Sequence, residues 1–437
     1  MNKIKIFTIL IILLSARAAF SQEVISLEDA VLKTLSKNYS IQMTKNMAKA
    51  ADNAATIGNA GFLPTVEATG GYDFSRNNTN LEFAGGIPPV DQDGAQSTTL
   101  RGGVVASYTI FNGLATIYNY DRLKTQKNLA DIETKITAEA TVIQVVNTYL
   151  DLINLKEIVK INEENLALSK DRLRLAEENF KYGVSNRVDF LNAEVDFNND
   201  SILLIESQLN YEIALRELSY LMGDETIRDN FEIVSEISLN DEVNFADKRQ
   251  AALNNNVQIL ESLMSISLAD TDLKAARSPY MPRLATQVGY NYNEQQSDVG
   301  ILLSNKNRGI NAGLTLQWNL FDGGKKNIML KNAKLQLDNN QLMLQDAKRF
   351  IDKDFSNAYS FYLKNIAKLK VEEKNIKSAE LNFERSNELY KLGKINSTQL
   401  REAQLNLLRS KSGLINAMVE AKKAEYEILR VAGDLLK

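Results

Sequence analysis

The sequence predicts a mainly α-helical, internally duplicated chain of long coiled-coil helices that also carries four β-strands of membrane-barrel character. Three observations predict it. First, the chain echoes itself at an offset of 210 residues: Phe111 by Phe321, Gly183 by Gly393, Gly223 by Gly433. The heptad series Val145, Leu152, Val159, Leu166, Leu173, Phe180 is echoed by Phe355, Tyr362, Leu369, Ile376, Phe383, Tyr390. An offset of whole heptads keeps both copies in one phase, and each copy must bury its stripe against a neighbour. Second, all five prolines (Pro64, Pro88, Pro89, Pro279, Pro282) fall in or beside two short regions. The proline-free stretches from Gly113 to Ser278 and from Gly323 onward are open to long uninterrupted helices, because proline breaks helix interiors. Third, the segments around those prolines alternate apolar and polar residues with period two, the pattern of strands.

The elements follow in order. Residues 1–21 read as a signal peptide. Lys3 and Lys5 precede an apolar run, Ile6 to Leu14, too short to span a bilayer, and Ala19-Phe20-Ser21 offers small residues for cleavage after Ser21. No cysteine exists to carry a lipoprotein anchor, and no later stretch is apolar enough for a transmembrane helix. The first copy, 22–223, opens with an Ala-rich helix from Leu27 to about Asn59, stopped by Pro64. A strand over about 65–76 sets Val66, Ala68, Gly70, Tyr72 and Phe74 on one face. A loop with Gly85-Gly86-Ile87-Pro88-Pro89 leads to a strand over about 99–111. A helix then runs from about Leu114 to Tyr182, Gly183 turns the chain, and a return helix reaches Met222, where Gly223 caps it.

The segment 224–244 is acidic and lacks a heptad phase, so it is expected to join the copies outside the helices. The second copy, 245–437, repeats the plan, with strands over about 283–293 and 309–321. In the last strand Ile310, Ala312, Leu314, Leu316, Trp318 and Leu320 alternate with Asn311, Gly313, Thr315, Gln317 and Asn319. Pro64 and Pro282 lie 218 residues apart, so the first hairpin loop is expected to be eight residues longer than the second. A helix of about 70 residues spans roughly 105 Å. The leading and return helices, about 32 and about 37 residues, together match it. The lengths suggest a cylinder with the tight turns at one end and the strands at the other.

Composition narrows the function. The net charge is −4, which argues against nucleic acid as a partner. With neither histidine nor cysteine, imidazole and thiol catalysis, disulfides and most zinc sites are excluded. No paired-carboxylate pattern stands out from solvated helix faces, so no catalytic, cofactor or metal site is expected. The strands have an apolar face, and a strand tilted at about 40° crosses roughly 25 Å of hydrocarbon. One chain supplies four strands where the smallest membrane barrels need about eight, and an open edge cannot face lipid. Several chains must therefore share a barrel; two, three or four copies all satisfy the arithmetic.

At this point the chain resembles a known family. The residues that carry the resemblance are Ser26-Leu27-Glu28-Asp29-Ala30, Phe62-Leu63-Pro64 and Tyr280-Met281-Pro282, Asn112-Gly113 and Asp322-Gly323-Gly324, and the turns Phe180-x-x-Gly183 and Tyr390-x-x-Gly393. Their order and doubled spacing, over essentially all of the chain beyond the signal peptide, are similar to the TolC family of outer-membrane efflux proteins. The resemblance implies a homotrimer in a Gram-negative cell, with a shared twelve-stranded barrel in outer-membrane lipid and a long α-barrel in the periplasm. It implies passive export, with a periplasmic adaptor (membrane fusion protein) and an inner-membrane RND or ABC pump as partners.

The resemblance also assigns roles to residues. The turns form the periplasmic tip, with Gly183, Val184, Ser185, Gly393, Lys394 and Ser397 as adaptor contacts. The family places gating carboxylates six and nine residues after the tip glycine: Asp189 matches the first offset in copy one, while in copy two Gln399 departs from the first and Glu402 matches the second. Tyr390 matches the family's aromatic residue before the second glycine, while Ile395 stands where some members carry an arginine that latches the gate. Asp189, Glu402, Gln399 and Tyr390 are thus the expected pore constriction. In structural terms, the glycines end helices and Ser185 or Ser397 caps the next one. The apolar heptad rows are expected to be core. Two other readings compete: a periplasmic structural coiled-coil protein that never enters lipid, and a secreted carboxylate-dependent hydrolase. The exported substrate is not legible.

Overall fold

The computed structural model describes residues 24–86, 88–239 and 245–436. The expected signal peptide and residues 240–244 of the joining segment lie outside them. In chain order the elements are β1 (Val24–Ile25), α1 (Leu27–Lys37), α2 (Tyr39–Ala54), α3 (Ile57–Ala60), β2 (Thr65–Leu81), β3 (Val90–Asn112), α4 (Ala115–Lys181), α5 (Arg187–Leu221), β4 (Glu232–Ile233), α6 (Phe245–Asn255), α7 (Val257–Ala275), β5 (Arg283–Ser297), β6 (Ser304–Gln317), α8 (Lys325–Lys391) and α9 (Ser397–Val431). A short 3₁₀ turn, Ser278–Tyr280, precedes β5. The long helices α4 and α8 have 67 residues each and the return helices α5 and α9 have 35 each, every boundary displaced by 210.

The chain divides into two compact units. Of the described residues, the first holds 24–46, 131–239, 245–261 and 345–436. Its apolar core gathers Val142, Val145, Val146, Tyr149 and Leu152 of α4 with Leu218, Met222, Phe231, Ile233 and Val419. The joining segment enters this core: β4 pairs in parallel with β1, Ile25 opposite Ile233. The Tyr149 hydroxyl donates to the carbonyls of Ile25 (2.9 Å) and Val234 (3.0 Å), and burial pushes its phenol up to about 12. The segment expected to join the copies outside the helices packs against them. Phe231 and Ile233 supply the apolar anchors that pull it in.

The single leading helix expected over Leu27–Asn59 is instead three, broken at Asn38 and again before Ile57. The break at Asn38 has a purpose in hydrogen bonding. The last carbonyls of a helix lack partners within it, and the Asn38 side chain donates to the Leu221 carbonyl at the end of α5, 2.9 Å away. Asn256, which separates α6 from α7, does the same to Val431 at the end of α9, also at 2.9 Å. Beside each clamp a glycine with positive φ ends the return helix. A Cβ on Gly223 would lie 2.5 Å from the Lys37 carbonyl oxygen, and one on Gly433 2.6 Å from that of Asn255.

The second unit holds residues 47–130 and 262–344. Its antiparallel sheet has the order β2-β3-β5-β6. Phe62 packs edge-on against Tyr120 at 6.0 Å, and the Trp318 indole N–H donates to the Tyr280 carbonyl at 3.1 Å. The first three strands run past their expected ends, to Leu81, back to Val90 and to Ser297. The fourth stops at Gln317, before the expected Phe321, because its neighbour β5 begins at Arg283, the partner of Gln317. The hairpin connections, residues 82–89 and 298–303, differ less than expected. The extra residues of the first hairpin extend its strand pairing instead.

Candidate functional site

At both helical turns a left-handed glycine closes a Schellman-type cap. Gly183 has φ 72° and Gly393 φ 69°. The N–H of Val184 donates to the Asn179 carbonyl (2.8 Å) and that of Lys394 to Leu389 (2.9 Å). Among the described residues, apart from the adjoining ones, no atom lies within 4 Å of where a Cβ would stand on either glycine. Across the first turn Phe180 stacks on Phe190 with ring centres 6.2 Å apart.

The caps of the return helices differ from expectation. Asn186 and Asn396, both extended, accept the N–H of Asp189 (3.0 Å) and Gln399 (2.9 Å), while Ser397 is the first helical residue. Ser185 Oγ is buried without a hydrogen-bond partner. Only the asparagines keep the 210-residue echo, which was the available signal. Gln399 also reaches back to the Asn396 N–H, completing a capping box that Asp189 does not. Val184, Gly183, Gly393 and Lys394 are exposed, as are Gln399 and Glu402; Asp189, Tyr390, Ser185 and Ser397 are half-buried.

The apolar heptad row leaves the core as it nears the turn. Val145 and Leu152 are buried, but Val159, Leu166 and Leu173 are half-buried and Phe180 is exposed. A row at strict seven-residue spacing rotates off a straight helix's contact line by about 20° per heptad. The buried seam there is polar: Asn165, Ser169 and Arg172 of α4 meet Asp196 and Asp200 of α5 and Arg401 and Gln404 of α9. Arg401 grips Asp200 in a two-point bond of 2.7 and 2.8 Å, Ser169 donates to the same carboxylate, and Arg172 pairs with Asp196 at 2.5 Å. Burial pushes the Asp200 carboxyl up, but the Arg401 and Ser169 hydrogen bonds and the Arg401 charge outweigh it and hold the group below its ordinary range. These residues were not legible as a site, because none of the four charges is echoed in the other copy.

One face of the sheet carries apolar rows. Val66, Ala106, Val288 and Ala312 form one row across all four strands, and Ala68, Val104, Tyr290 and Ile310 the next. Val66, Val104, Tyr290 and Ile310 are exposed. Such a surface on tilted strands is suited to lipid.

An exposed apolar sheet fed by very long helical hairpins defines a membrane β-barrel with a helical extension. The sequence model of the outer membrane efflux protein family matches residues 31–224 and 249–434, and the chain belongs to that family. It is 22% identical to the outer membrane protein TolC of Vibrio cholerae, over 88% of this chain and 85% of that protein. To the outer membrane efflux protein BepC of Brucella suis it is 21% identical, over 96% of this chain and 87% of that one. Its fold is that of the Campylobacter jejuni CmeC outer membrane channel, with a TM-score of 0.79 at 17% identity over 94% and 86% of the two chains. The protein is an outer-membrane efflux channel.

Proposed function

We propose that the channel is the exit duct of a tripartite efflux or type I secretion system. Three copies share a twelve-stranded barrel in outer-membrane lipid, and a periplasmic adaptor couples their helical turns to an inner-membrane RND or ABC pump. The observation that carries this reading is the four-stranded sheet, with exposed apolar rows on one face and with β2 and β6 at its edges. Open edges in lipid leave backbone groups unsatisfied, so further copies must complete the ring. The adaptor surface is the pair of exposed turns, with Gly183, Val184, Ser185, Gly393, Lys394 and Ser397. Asp189 and Glu402, with Gln399 and Tyr390, form the constriction, where carboxylates repeated by symmetry favour cations through fixed charge. Conductance across planar bilayers tests this. Asp189→Asn combined with Glu402→Gln is expected to lower the cation-to-anion permeability ratio, and an unchanged ratio would remove these residues from the constriction.

A further inference from the structure

The alternating pattern of the last strand outlives the strand itself. Trp318 and Leu320 continue the period-two sequence yet lie beyond β6, highly exposed, as does Phe321 after them. Their equivalents in the first copy, Tyr108, Ile110 and Phe111, belong to β3 and run alongside the start of β5. The residues at the end of β6 therefore lack a strand to lie against, and the internal duplication specifies which one.

Two offsets relate the hairpins: 218 carries β2 onto β5, and 210 carries β3 onto β6. Applied to the first hairpin they reproduce the observed register of the second. Val66↔Ala106 becomes Leu284↔Leu316, and Tyr72↔Leu100 becomes Tyr290↔Ile310, both as found. The same two offsets convert the observed β3·β5 pairing into a pairing of β6 with a β2 strand. Within one chain β2 and β6 lie at opposite edges of the sheet, so that β2 belongs to a second copy.

We propose that β6 pairs antiparallel with β2 of a second copy in the register Leu314↔Tyr72, Leu316↔Gly70 and Trp318↔Ala68, drawing residues 318–321 into the sheet. The source pairs are Val104↔Tyr290, Ala106↔Val288 and Tyr108↔Thr286. The register meets an independent requirement. Residues directly opposite in a sheet share a face, and a slip of one residue would reverse every side chain. Here apolar residues meet apolar ones, with Leu316 over a glycine and Trp318 over an alanine. On the other face Gly313 meets Asp73 and Gln317 meets Thr69. Slips of two residues also keep the faces, so they are the alternatives to test. The proposal rests on the reading that several copies share one barrel.

The chain has no cysteine, which leaves a clean background for cross-linking. Full-length protein in outer membranes would carry Leu314→Cys with Tyr72→Cys, or Gly313→Cys with Asp73→Cys. Neighbouring pairs alternate between the two antiparallel spacings, so one of the two has the closer one. With an added oxidant both are expected to give covalent multimers. Pairs slipped by two residues, Leu316→Cys or Ala312→Cys with Tyr72→Cys, are expected to stay mostly uncoupled. Val104→Cys with Tyr290→Cys, the equivalent pair within one chain, should close internally and verifies oxidation in a folded sheet. Preferential coupling of a slipped pair would overturn the register and leave the shared barrel standing. No multimer from any pair, with the internal disulfide formed, would overturn the shared barrel itself.

Discussion

Replacing Arg401 with alanine removes the cation from Asp200, a carboxylate that is 0% exposed. Truncating one partner of a buried ion pair typically costs about 3–5 kcal/mol, because the remaining charge is left without compensation. Arg401→Ala should therefore lower the unfolding midpoint of the detergent-solubilised protein markedly, and Asp200→Asn in that background should recover part of the loss. The pH dependence has a definite sign. Since the folded carboxyl is held below its ordinary 3.8, the stabilisation is complete above that value and fades as the pH falls through the lowered folded one. The wild-type midpoint should drop on that acid limb more steeply than the midpoint of Arg401→Ala. The glycines make a second residue-scale contrast. Gly183 and Gly223 share φ 72°, so an alanine at either bears the same left-handed strain of about 1–2 kcal/mol. At Gly183 the new methyl meets open space, while at Gly223 it meets the Lys37 carbonyl. Unfolding titrations should find Gly223→Ala clearly the more destabilised of the two.

At the scale of elements, much of the plan was legible. The long and return helices were anticipated to within about two residues, because proline absence, heptad phase and a turn glycine agree on each boundary. The strands were found from alternation, though their ends were set by neighbours the sequence does not display: Leu81 and Val90 remain paired well past the apolar stretch. The breaks at Asn38 and Asn256 escaped notice because the flanking residues favour helix, and the reason for each break is a carbonyl more than a hundred residues away. The polar seam escaped for a different reason. A search for repetition finds what the copies share, and Arg401 echoes Leu191 while Asp200 echoes Ser410.

For the whole molecule, the exposed apolar face makes a prediction that a purely periplasmic coiled-coil protein would fail. Trp318 is the sole tryptophan and continues the apolar alternation of β6. In reconstituted vesicles brominated lipid tails should quench most of its fluorescence; emission indifferent to bromination would place the sheet outside the bilayer. The unequal offsets of the duplication carry a further consequence. Helix lengths are equal in the two copies while the first hairpin is the longer, so the hairpin tips are expected to tolerate extra chain. Gly85 and Gly86, both with positive φ and open surroundings, sit at such a tip, away from the strand ends that join the helices. With the helical turns at a periplasmic adaptor, as proposed, that tip is expected to face out of the cell. An epitope spliced between Gly85 and Gly86 should be stained by antibody on living cells, and one at Gly183 only after the outer envelope is breached. The channel then serves as a surface-display scaffold whose orientation is read by eye.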